Sequence, residues 1–140
     1  MQRLTITTQF RGEAAEPSGE PPKTDPRCTS ESVEGVTADG ADAGITHASY
    51  ENHVTFTSES TFTETGTIGF GDGELDIDTI GEGTIGPSRE DGVMQGAVMW
   101  RITAGRGRFE GAGGVITSNF LLRLDNGEVE DRQVAVVFLP

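Results

Sequence analysis

"TAGRGRFEGAGGVITSNF", residues 103–120, is the stretch whose reading decides the fold. Its glycines at 105, 107, 111, 113 and 114 suit either a phosphate cradle or a corner in a β-sheet. A dinucleotide fingerprint requires G-x-G-x-x-G between a strand and a helix. Here Gly111 arrives one residue late, and the "VITSNFLL" that follows alternates as a strand does. A Walker loop requires Gly-Lys-Ser/Thr, and the only lysine of the chain is Lys23. The corner reading fits both sides of the stretch. Glycine tolerates positive φ and close backbone approach at a bend or bulge. Phe109 is then expected to plug one end of a closed sheet, with Ala112 and Gly114 leaving it room.

Strands are expected on both sides of this corner. "GVMQGAVMWRITAG" before it is apolar at Met94, Val98, Trp100 and Ile102 on one face and at Val93, Ala97 and Met99 on the other. After it, "GGVITSNFLLRL" leads through Asp125-Asn126-Gly127 to "EVEDRQVAVVFLP", and Asn-Gly between alternating runs is a strong hairpin signal. Upstream, "ITHASYENHVTFTSESTFTETGTIGF" is rich in residues that favour pleated surfaces. Tyr50, Val54, Phe56 and Phe62 share one parity and hence one face. "GFGDGEL" turns tightly, "ELDIDTI" alternates, and so does Leu4 to Phe10 at the start of the chain. No segment carries an apolar period of 3.6 residues. The expectation is an all-β domain of about eight antiparallel strands. Closure into a barrel would remove the sheet edges, and strands apolar on both faces fit a barrel that packs on a second subunit. Residues 11–44 hold four of the six prolines and few large apolar residues. They are expected to form a long acidic loop or a partly disordered insertion after the first strand.

Composition bounds the function. The 140 residues suit a single domain with its own core, and the formal charge of −13 disfavours nucleic acid and anionic membrane as partners. The amino terminus lacks the apolar run of a signal peptide, and no stretch approaches membrane-spanning length. A cytoplasmic protein is expected. Cys28 is the only cysteine, so no internal disulfide forms. Its neighbours read as an exposed loop rather than as the setting of a nucleophile.

"GRGRFEGAGG" resembles the G-x-G-x-F-x-x-A-x-G signature of the dirigent and allene oxide cyclase barrels, at Gly105, Gly107, Phe109, Ala112 and Gly114. The "GELDIDTIGEG" strand before the corner and the hairpin after it resemble the same superfamily, so the likeness covers roughly residues 45–140. It implies a closed, eight-stranded, calycin-like antiparallel barrel, often a dimer or trimer. It also implies a small hydrophobic substrate in the lumen, steered to one cyclised product without metal or organic cofactor. No catalytic motif of the characterised members maps onto this chain.

Candidate site residues follow from chemistry. Arg101 and Asn119 lie in apolar strands and need either a structural partner or a polar ligand group. With Tyr50 they are the candidates for orienting or polarising a substrate. Phe56, Phe62, Trp100, Phe120 and Met99 are the candidate ligand contacts, the alternative being plain core filling. His47 and His53 lie about 20 Å apart along an extended strand, and no metal site is assigned to them. Glu74, Asp76 and Asp78 read as a solvated acidic face. Three functions are consistent with these features: a cofactor-independent cyclase or isomerase, a lipocalin-type carrier of a lipophilic metabolite, and a filled barrel without ligand. An enzyme requires a titratable side chain with a shifted pKa at the end of a cavity. A carrier requires an open, wholly apolar lumen.

Overall fold

The computed structural model describes residues 1–140. The strands are β1 (Gln2–Glu13), β2 (Lys23–Thr24), β3 (Arg27–Thr37), β4 (Ala48–Phe56), β5 (Thr61–Gly69), β6 (Gly73–Thr79), β7 (Gly83–Pro87), β8 (Val93–Gly107), β9 (Gly113–Arg123) and β10 (Glu128–Leu139). Every pairing is antiparallel. β2 and β3 both pair with β4 and form one strand interrupted at Asp25-Pro26. β6 and β7 both lie between β5 and β8 and form another, interrupted at Ile80–Glu82. The ten segments thus make eight barrel strands, and the ring closes because β1 pairs with β10 on one side and β3 on the other. No helix is long and apolar enough to cross a membrane.

Alternation then sorts residues to the inside and outside of the ring. Leu4, Ile6, Thr8 and Phe10 of β1 point in, as do Val98, Trp100 and Ile102 of β8 and Val129, Asp131, Gln133, Ala135 and Val137 of β10. Twenty-two buried residues form one continuous core.

The glycine-rich corner closes one end. Phe109 is fully buried, edge-on to Phe70 with ring centroids 5.4 Å apart. The backbone folds tightly over it. A Cβ on Gly105 would stand 1.9 Å from the Phe109 carbonyl oxygen, and one on Gly73 would meet the Phe109 ring at 2.7 Å. Ala112 packs beside the core as a partly buried neighbour.

Residues 11–44 depart from the expectation of a long loop. β1 continues to Glu13, and residues 27–37 form the strand that closes the ring. The pattern misleads because the inward positions of β3 are small: Cys28, Ser30 and Gly35 are buried, while Glu31, Ser32 and Glu34 face solvent. A shift of register between Gln9 and Arg11 further breaks the alternation. Cys28 is consequently a core thiol at 3% exposure rather than an exposed loop residue. Burial pushes its pKa to about 12, which leaves it inert as a nucleophile.

The corner makes the first prediction. Gly105→Ala is expected to cost roughly 2–3 kcal/mol through overpacking, and Phe109→Ala about 3–5 kcal/mol through the cavity it leaves. Gly113→Ala, whose Cβ would meet nothing within 4 Å, should stay within about 0.5 kcal/mol of wild type. Urea denaturation of the three variants measures this ordering, and equal losses at Gly105 and Gly113 would contradict it.

Candidate functional site

The opposite end of the barrel is aromatic. Phe56 ends β4, Phe62 begins β5 and Phe120 lies near the end of β9, so the antiparallel register gathers them at one rim. Phe62 sits 6.1 Å from Phe56 and 5.9 Å from Phe120, centroid to centroid. Two inward glycines make room: a Cβ on Gly83 would meet the Phe62 ring at 2.3 Å, and one on Gly96 would meet Phe120 at 2.2 Å. Deeper in, Trp100 stands edge-on to Tyr50 at 6.5 Å, and Tyr50 to Phe10 at 4.7 Å. Phe56, Phe62, Phe120, Trp100 and Tyr50 line a mostly apolar cavity of about 70 Å³, together with Ala14, Thr24 and Pro26.

The floor of the cavity is acidic. Asp131 of β10 and Glu64 of β5 both line it and are almost wholly buried, at 2% and 7% exposure. Asp131 accepts three hydrogen bonds: from Ser118 Oγ at 2.6 Å, Gln133 Nε2 at 2.8 Å and Tyr50 Oη at 2.9 Å. Glu64 accepts one, from Asn52 Nδ2 at 3.1 Å. Asn52 fits there because its partner across the strands is Gly66, where a Cβ would lie 1.9 Å from Asn52 Oδ1. The buried polar and charged residues are Thr8, Ser30, Asn52, Glu64, Ser118, Asp131 and Gln133, with no cation among them.

Two buried acids without a cation resolve their electrostatics through protonation. Burial lifts the Glu64 carboxyl to about 7; the Asn52 amide opposes this, and the nearby Asp131 charge adds to it. Burial also raises Asp131, against the pull of its three donors. The hydrogen bonding therefore favours Asp131 as the anion and Glu64 as the acid, a division of labour typical of acid–base sites. Burial and Asp131 together push the Tyr50 hydroxyl well above its ordinary value, so it remains a donor. Trp100 is 1% exposed, and its indole N–H makes no hydrogen bond. It lies near enough to Glu64 to favour the carboxylate.

Of the residues singled out in the sequence, Tyr50, Phe56, Phe62, Trp100 and Phe120 meet at this cavity. Arg101, Asn119 and Met99 do not, and each is a correction. Arg101 is on the outer face of β8, where its Nε bonds Asp78 at 3.1 Å and most of the side chain is exposed. Asn119 is exposed on the outer face of β9, between Ala97 and Arg132. Met99 is 45% exposed, one position out of phase with Trp100. One physical cause covers all three: the outer face of β8–β10 is itself apolar, with Met99, Val115, Val134 and Phe138 partly exposed. Inside and outside were therefore hard to separate there. His53 pairs with Asp25 on the exterior at 2.9 Å and His47 is exposed, so the two share no site.

The acids themselves were not singled out for this role. Glu64 shares the parity of Tyr50, Val54, Phe56 and Phe62, and a carboxylate on that apolar face was the available signal. Asp131 was masked because the out-facing Val134, Val136 and Phe138 offered an equally apolar alternative face for β10. No family model, curated protein or solved structure matches the chain.

The acid pair ties stability to pH. A carboxyl whose folded pKa is raised stabilises the fold fully below its unfolded value of 4.5 and loses that contribution as pH rises through about 7. Stability should therefore fall between these pH values by up to about 3 kcal/mol. Asp131 contributes in the same direction. Tyr50 and Cys28, the other titratable groups inside, are pushed upward and out of this window. Thermal unfolding from pH 4.5 to 8 should show the decline in wild type and a flatter profile for Glu64→Gln. Matching profiles would assign the decline elsewhere.

Proposed function

We propose that the barrel is a cofactor-independent cyclase or isomerase acting on a small hydrophobic substrate whose reacting end enters the aromatic mouth. One observation carries the reading: two buried carboxyl groups, Glu64 and Asp131, line the same mostly apolar cavity with no buried cation to neutralise them. Glu64 donates a proton to the polar group of the substrate. Asp131, fixed by Tyr50, Ser118 and Gln133, stabilises positive charge that develops in the low-dielectric chamber and accepts the proton that leaves. The product is an isomer, so no atoms are gained or lost. The walls add positioning: confining a flexible chain in a reactive conformation is worth up to about 7–11 kcal/mol in the most favourable intramolecular cases.

A lipocalin-type carrier is the weaker reading, because the lumen is not wholly apolar. A filled barrel draws support from the cavity size, since about 70 Å³ amounts to little more than two water volumes. Catalysis therefore requires the rim at Phe56 and the Ala14–Pro26 segment to yield as substrate enters. The proposal also places the protein in a reducing, cytoplasmic compartment, in keeping with its single unpaired and buried cysteine. Neither nucleic acid nor membrane is a partner in this reading, in keeping with the formal charge of −13. Self-association, as a dimer or trimer, is proposed at the apolar outer face of β8–β10.

Native mass spectrometry of protein purified without detergent or organic solvent tests the proposal. The expected result is a mass excess from a small apolar molecule that is released by solvent extraction. Wild type should convert the released compound or its precursor, whereas Glu64→Gln should bind it and turn over at least about a hundredfold more slowly. Binding without any turnover by wild type would leave a carrier. Failure to bind apolar molecules at all would leave a filled barrel.

A further inference from the structure

We propose that the ligand of this cavity carries an uncharged acceptor oxygen, a ketone or aldehyde carbonyl, that docks between the Trp100 indole N–H and the Glu64 carboxyl. The inference rests on the acid–base reading of the same cavity and specifies the substrate class.

Trp100 provides the first anchor. An indole nitrogen can only donate; Trp100 lines the cavity and is buried at 1% exposure, and its N–H makes no hydrogen bond although it lies near enough to Glu64 to favour the carboxylate. A buried, unpartnered donor carries a desolvation cost that an incoming acceptor removes. The other buried atom without a partner, Asn52 Oδ1, is packed over Gly66, and Asn52 does not line the cavity. It therefore does not compete as a ligand contact. Glu64 provides the second anchor, because its neutral form brings an O–H donor to the same space. Two donors facing one apolar chamber fit a single oxygen with two lone pairs, and both would strengthen as negative charge builds on that oxygen.

Charge excludes anionic headgroups, and donor matching disfavours the rest. A carboxylate or phosphate would join two buried acids with no buried Lys, Arg or His to offset it. An ammonium group would find favourable aromatic faces, but it would set a donor against the Trp100 N–H. The Asp131 oxygens, moreover, already take three donors. A hydrocarbon suits the walls and leaves Trp100 unpaired.

The chain has one tryptophan, so ¹⁵N-labelled protein gives one indole cross-peak to follow. Four probes on one ring separate the headgroups: cyclopentanone, cyclopentane, cyclopentanecarboxylate and cyclopentylammonium, titrated at about pH 5.5, where Glu64 is protonated. Cyclopentanone should move the indole proton downfield and bind about tenfold or more tightly than cyclopentane. Trp100→Phe should reduce that preference to a few-fold or less. In wild type, with no substitution, raising the pH through about 7 should weaken ketone binding as Glu64 ionises. Asp131, raised by burial against the pull of its three donors, is the other carboxyl of the cavity, and Tyr50 and Cys28 titrate above this range. Preference for the carboxylate or the ammonium would overturn the assignment. Equal binding of ketone and cyclopentane, shifting the Phe56, Phe62 and Phe120 ring signals but not the indole, would overturn the carbonyl assignment alone. If none of the four probes perturbs those rings, the enzymatic reading falls with it.

Discussion

Closure of the sheet is the constraint from which the rest follows. β1 is hydrogen-bonded along both edges, to β10 through twelve residue pairs and to β3 through nine. Once both edges of β1 are occupied, no strand can slide by one residue without turning its whole inner set outward. The identity of the inner residues is therefore fixed around the entire ring. An eight-stranded barrel has an interior just wide enough for side chains to fill. Its content is thus decided layer by layer: Phe109 and Phe70 at one end, aromatic rings at the other, and a polar stratum between. That stratum includes Asn52, Glu64, Ser118, Asp131 and Gln133.

Local chemistry exposes some of this arrangement and conceals the rest. The corner at 105–114 was legible because glycine and phenylalanine there have only one use in an all-β chain. The hairpin at Asp125–Gly127 and the tight turn at Gly71–Gly73 were legible for similar reasons. β3 was not, because a strand whose inward positions are Cys28, Ser30 and Gly35 leaves no apolar stripe to read. It is held by its neighbours rather than by its own burial. The aromatic half of the site was visible as large side chains of one parity. Its acidic half was not, because an acid on an apolar face looks like an interruption until the strands across the lumen are known. Asp131 meets Tyr50 over 81 residues of chain and Ser118 over 13, and no local pattern carries such a contact. Arg101, Asn119 and Met99 failed for the converse reason: β8 and β9 are apolar on both faces, and parity alone does not say which face is inside.

The two carboxyls are placed differently within the same stratum, and the difference matters more than their burial. Asp131 is fully engaged, with donors from β4, β9 and its own strand. It ties three strands together across the lumen, and its three donors hold its position. Glu64 has one donor at 3.1 Å and faces the cavity. A pair so divided keeps one proton held near neutrality and one charge fixed, which is the electrical arrangement of an acid beside a base.

A layer that served only to stabilise the barrel would not be built this way. Replacing buried ionisable groups with apolar residues of similar volume is commonly neutral or stabilising, and the pH-linked penalty of Glu64 is absent from an all-apolar layer. A polar layer kept for structural specificity would satisfy its members, as that around Asp131 does. The Trp100 N–H and Asn52 Oδ1 are the exceptions, and of these two residues only Trp100 lines the cavity, together with the sparsely bonded Glu64. An unpaired donor on the cavity wall beside an acid with a single strong donor is the feature on which the proposed ligand reading rests. The barrel is closed and plugged at its glycine-rich end, and at the other end it leaves a donor unpaired on a residue of the cavity wall.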